Sequence, residues 1–95
     1  MSLTAAQRAA TAAELNANLE RSGLTMPELV FRSRLTSARV VTALAVSEHA
    51  DPEDVWRVRD VVEAGAYAAG AVPVPFSVLT EDMRASAQGR GGTTH

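Results

Sequence analysis

LTMPELVFRSRLTSARVVTALAV, residues 24–46, is the stretch whose reading decides the fold. It reads as two short helices joined by a tight turn. Thr25 and Glu28 form a capping box, in which the Thr25 hydroxyl accepts from the Glu28 backbone N–H while the Glu28 carboxylate reaches back to the start of the helix. Pro27 falls in the first turn, where its missing N–H costs nothing, and Leu29 and Val30 begin the apolar side. Thr36 is a second cap, and from Ser37 the residues Val40, Val41 and Leu44 recur at helical spacing. The two helices therefore flank Arg32 to Leu35. So short a connection forces a corner, which is how a helix-turn-helix sets a second helix into the DNA major groove.

Leu24, Thr25, Glu28, Leu29, Leu35, Val40 and Ala43 resemble the apolar and cap positions of repressor-type helix-turn-helix domains. Such domains favour a small residue where Val30 stands and a glycine where Arg34 stands. A non-glycine residue in the left-handed region costs about 1 kcal/mol, so Arg34 implies a modified turn or local strain. Met26 replaces a glutamine often found there, which removes a phosphate-contacting side chain. The whole chain is more similar still to a family of small bacterial proteins of unknown function, helix-turn-helix-like in sequence. LTAAQRAATAAELNANLERSGLT, ADPEDVWRVRDVVE and VPVPFSVLTE carry that resemblance. It implies a fold and no activity.

Ninety-five residues suffice for one small domain with a thin core. Apolar content of 46%, much of it alanine, excludes general disorder and favours close helix packing. There is no cysteine, hence neither a disulfide framework nor a thiolate metal site. No basic-then-apolar leader and no apolar run of spanning length is visible, and the expectation is a cytoplasmic protein without a membrane partner. A net charge of −2 argues against strong non-specific nucleic-acid binding. The charge is unevenly placed, however. Arg32, Arg34 and Arg39 outweigh Glu28 within 24–46, while Asp51, Glu53, Asp54, Asp60 and Glu63 outweigh Arg57 and Arg59 further on.

Before the central stretch, Thr4 and Gln7 form another capping box, opening a helix that runs to about Ser22 and stops at Gly23. Gln7, Thr11, Glu14, Asn18 and Arg21 make its polar line. Ala5, Ala9, Ala12, Leu15 and Leu19 are left on the other side to receive a neighbouring helix. After it, Asp51-Pro52-Glu53-Asp54 starts a fourth helix with a cap, a first-turn proline and acids at the positive end of the dipole. Val55, Val58, Val62, Ala66 and Ala69 form its core stripe as far as Gly70, with Gly65 on the same side allowing tight packing. Trp56 and Tyr67 lie on another face and need cover. Val72, Val74, Phe76 and Val78 alternate with Pro73, Pro75 and Ser77, which predicts an extended edge or polyproline-like arm. This arm either folds back within the chain or crosses to a second subunit, with Trp56, Tyr67, Val74, Phe76 and Val78 as its packing residues. Thr80 to Asp82 open a last helical turn. Residues 1–82 form a single helical domain and 83–95 a flexible tail.

Chemistry-bearing constellations are sparse. His49 and His95 have no metal-site spacing, the acids of the fourth helix are explained by its start and its solvated face, and no serine or threonine has an evident base. No metal, cofactor or catalytic residue is expected, and the protein is read as a non-enzyme. In the helix-turn-helix resemblance, Thr36, Ser37, Ala38, Val41 and Thr42 lie nearest the base edges of double-stranded DNA, with Arg34 and Arg39 alongside. Only the arginines offer a bidentate grip on guanine, so readout would be led by phosphate contacts. The expectation is an all-α domain of four main helices, a central helix-turn-helix-like pair and an extended C-terminal arm, with a second copy in a homodimer as the expected partner. Its leading function is DNA binding in transcription regulation; the alternative is a protein-interaction module that keeps the fold without binding DNA.

Overall fold

The computed structural model describes residues 3–85. Four helices follow in order: α1 (Ala5–Ser22), α2 (Met26–Ser33), α3 (Ser37–Leu44) and α4 (Pro52–Ala68). Residues 81–85 add a short helical segment, and no strand occurs among the described residues. The protein is all-α.

The helix starts follow from their caps. Both bonds of the Thr4–Gln7 box form, at 2.9 and 3.1 Å. Both bonds of the Thr25–Glu28 box form as well, at 2.8 and 3.3 Å. The Thr36 hydroxyl accepts from the Arg39 N–H, and the Asp51 carboxylate from the Glu53 N–H. The stops share one device. Each helix is closed by a residue with positive φ: Gly23 at 69°, Arg34 at 62°, Val46 at 48° and Gly70 at 79°. Val46 N–H donates to Ala43 O and Ser47 N–H to Thr42 O, the paired bonds of a Schellman stop, so α3 ends as though its valine were a glycine. Arg34 likewise adopts the glycine conformation rather than altering the turn. Each of these two non-glycine stops carries roughly 1–2 kcal/mol of backbone strain.

α4 lies at the centre and packs on α1, α2 and α3. Its Val55, Val58, Val62 and Ala66 are buried among Leu15, Leu29, Leu35, Val40, Leu44, Phe76 and Leu79. Ala69, expected on that stripe, is exposed beyond the helix end. Gly65 meets the end of α1 closely: a Cβ there would stand 2.9 Å from Ser22 Cβ and 3.0 Å from Leu24 Cδ1.

Three expectations are corrected. The first concerns α1, whose buried line is Thr11, Leu15, Asn18 and Ser22, while Ala5 and Ala9 are exposed. Polar residues can face inward because each is satisfied. Thr11 donates to Gln7 O at 2.8 Å, and Ser22 to Leu19 O. Asn18 holds the backbone of Val74.

The second is the arm, which docks within the chain and inserts Pro73, Phe76 and Leu79 rather than every second residue. A period of three belongs to a polyproline-type helix, which the two prolines favour. Glu14 accepts from Ser77 N–H and Oγ–H, and Arg21 donates to Val72 O. The third is the tail boundary. Met83 N–H donates to Thr80 Oγ1 at 3.1 Å and Arg84 lies 4.7 Å from the Trp56 ring centre, so Met83 and Arg84 pack against the body while Ala85 is exposed. The rest of the expected tail, 86–95, lies outside the described residues.

Candidate interaction surface

The outward side of α3 is chemically committed at several of the positions placed near DNA. Arg39 donates from Nε and Nη2 to the two oxygens of Asp54, each at 2.7 Å, and Asp51 stands 3.9 Å from the same guanidinium. The Asp54 hydrogen bond, followed by its charge, pushes the Arg39 pKa above its ordinary value. Asp54 itself is only 5% exposed, so the pair joins α3 to the start of α4. The basic pair of helices and the acidic start of α4 therefore neutralise each other where they meet. Thr36 is occupied as a cap, and the Thr42 hydroxyl donates to Ala38 O at 2.9 Å. Arg34 provides the left-handed stop while its side chain stays exposed. Ser37, Ala38 and Val41 remain open to solvent.

The packing residues assigned to the arm separate. Phe76 is buried, Val74 and Val78 are half-buried, and Tyr67 is exposed and uncovered. Trp56 is half-buried and covered by cations, with the Arg84 guanidinium 4.7 Å and the Arg59 guanidinium 5.7 Å from its ring centre. Arg59, 4% exposed, is the arm's anchor. Its Nε donates to Leu79 O at 2.8 Å, its guanidinium lies 4.6 Å from the Phe76 ring centre, and Nη1 donates to Asp60 and Glu63 at 3.0 and 3.1 Å. Arg84 also pairs with Asp60, which raises its pKa.

A surface that the sequence reading did not single out lies between α2 and α4. Phe31, Arg32, Arg34, Val61 and Ala64 line an open cleft of about 610 Å³. Phe31 is 83% exposed. The signal was present in the helical spacing: Leu29 and Ser33 are the buried residues of α2, and Phe31, two positions from each, must point the other way. A second depression, of about 180 Å³ between the start of α1 and the 46–55 segment, is bounded by Arg8 and Glu48, whose side chains pair at 3.4 Å. It is smaller than the roughly 300 Å³ at which organic ligands are usually enclosed. No group of three or more His, Asp or Glu among the described residues is arranged to hold a metal ion. No helix among them is long and apolar enough to cross a membrane.

No curated protein and no solved structure gives a significant match to this chain. The sequence pattern of a bacterial family, described as "Uncharacterized protein conserved in bacteria (DUF2316)", matches residues 1–88. With nearly the whole chain inside that match, from the Thr4 cap through the arm, the protein belongs to the DUF2316 family.

Proposed function

We propose that this chain is a non-enzymatic protein-binding module on a helix-turn-helix-like scaffold, with the α2–α4 cleft as its working surface. The observation that carries the reading is the 83% exposure of Phe31 on a helix whose Leu29 is fully buried. Burying a phenylalanine contributes roughly 1.5–3 kcal/mol, and Phe31 leaves most of that unused in the folded chain. A partner that covers the ring gains it. The engagement of Arg39 by Asp54 supports the same reading, since it removes a cation from the helix that would approach phosphate.

A second reading, DNA binding in transcription regulation by a homodimer, is favoured by one specific observation. The capped α2, the left-handed corner at Arg34 and the capped α3 follow one another in the order that a helix-turn-helix uses, with Ser37, Ala38 and Val41 open on α3.

Fluorescence polarization with a random-sequence duplex at several salt concentrations separates the two. The binding-module reading expects no duplex binding even at low salt. It also expects Phe31→Ala to change stability by less than about 0.5 kcal/mol, as for a surface residue that supports no internal contact. Duplex affinity that falls steeply with salt and weakens in Arg34→Ala would replace it with the DNA reading.

A further inference from the structure

We infer that the α2–α4 cleft takes an acidic segment of another protein, anchored by a bulky apolar side chain against Phe31 and flanked by carboxylates that meet Arg32 and Arg34. This rests on the binding-module reading above and names its partner class.

The cleft has an apolar wall, a low floor and a basic rim. Phe31 supplies the wall from α2, while Val61, half-buried, and Ala64, too small to fill the space, supply the floor from α4. Arg32 and Arg34 form no ion pair among the described residues. Glu28, one turn before Arg32, feels its charge but forms no ion pair with it, its carboxylate accepting instead from the Thr25 N–H and hydroxyl at 2.8 and 2.9 Å. Arg57 lies beneath α2, donating to Ser33 O at 3.4 Å, and is balanced by Glu53 at 4.0 Å, so the basic rim is Arg32 and Arg34. An exposed aromatic beside unpaired guanidinium groups is the composition that dominates binding at protein interfaces, and its complement is apolar and acidic.

The same geometry disfavours two other occupants. A two-fold contact between copies through this face would bring two copies of the same basic rim into one interface, with no acid lining the cleft to offset them. A duplex requires a continuous cationic track, whereas here an aromatic ring and an apolar floor interrupt it.

The test is selection of a random-peptide display library on the immobilised full chain, followed by polarization and amide NMR shifts with the selected peptides. Enriched peptides are expected to join Phe, Trp or Leu to neighbouring Asp or Glu. They should shift amides near 31–34 and 57–64 and bind less tightly as salt rises. Phe31→Ala is expected to weaken them at least about tenfold, and Arg32→Glu, on the exposed rim, by a similar factor. Failure to enrich any peptide, enrichment of basic or uncharged peptides, or binding indifferent to both substitutions overturns the inference. Acidic peptides that map to another face would overturn it while leaving the binding-module reading intact. Self-association abolished by Phe31→Ala would give the cleft to a second copy. Duplex binding through α3 would instead remove the module reading itself.

Discussion

Asn18 pairs with the backbone of Val74 in both directions: its Nδ2 donates to Val74 O at 2.9 Å, and its Oδ1 accepts from Val74 N–H at 2.7 Å. A fully buried side chain thus does for the arm what a neighbouring strand does in a sheet. The arm's prolines cannot donate, so Val74 is where its backbone can be gripped from both sides. Replacing Asn18 by alanine strands a donor and an acceptor together. Each costs roughly 1–3 kcal/mol when left unsatisfied. Asn18→Ala is therefore expected to lower stability by about 2–4 kcal/mol in urea unfolding, with faster hydrogen exchange over 72–79. A loss below about 0.5 kcal/mol would mean that the arm does not depend on this contact.

Gly65 provides a second measure of packing. Alanine there gains up to about 1 kcal/mol of helix propensity. Its methyl, however, meets Ser22 Cβ at 2.9 Å and Leu24 Cδ1 at 3.0 Å, and overpacking of this kind costs about 1–3 kcal/mol. The Ser22 contact lies close to the backbone and yields little, so Gly65→Ala is expected to destabilise by about 1 kcal/mol in thermal or urea melts. A stabilised variant would show that α1 and α4 separate freely at this point.

The capping box of α2 carries a pH signature. Hydrogen bonds from the Thr25 N–H and then from its hydroxyl depress the Glu28 pKa below its ordinary value of 4.5, despite a smaller opposing contribution from desolvation. With the folded value depressed, the unfolded chain binds the proton first. The stabilisation is therefore fully present above 4.5 and is lost as pH falls through the folded pKa. Glu28→Gln keeps an acceptor in the box without the charge. The stability difference between wild type and Glu28→Gln should be constant near neutrality and change as acid is added below 4.5. A difference independent of pH from neutrality to the acid limit would rule out the ionised box.

Arg39 and Asp54 should behave as one unit. Arg39→Ala leaves the Asp54 carboxylate, 5% exposed, without its two strongest donors. Asp54→Ala leaves an arginine that is already half in water. The arginine substitution is therefore expected to destabilise more than the aspartate substitution, and the double variant less than the sum of the two. Additive losses in a urea double-mutant cycle would show that the two side chains are not coupled.

What was legible in the sequence was local. The Thr4, Thr25, Thr36 and Asp51 starts are written within four residues of each helix, and Gly23 and Gly70 mark two of the stops. Val46 escaped because nothing about a valine announces a left-handed stop; its conformation is imposed by the Schellman bonds and by its own burial. Asn18 and Arg59 escaped for another reason. A polar residue reads as surface until its partner is known, and their partners, Val74 and Leu79, are 56 and 20 positions away. Phe31 was legible from helical spacing alone, but only when α2 is read for what it leaves outside.

The arm also governs when the molecule can become itself. Leu79, fully buried, and Phe76 complete a core otherwise built from residues up to Ala66, and Arg59 waits for the Leu79 carbonyl. During synthesis the amino-terminal part of a chain is free to organise first. Here the four helices can form first, but their shared interior stays open until Phe76 and Leu79 are in place. Closure of the native state therefore waits on the arm.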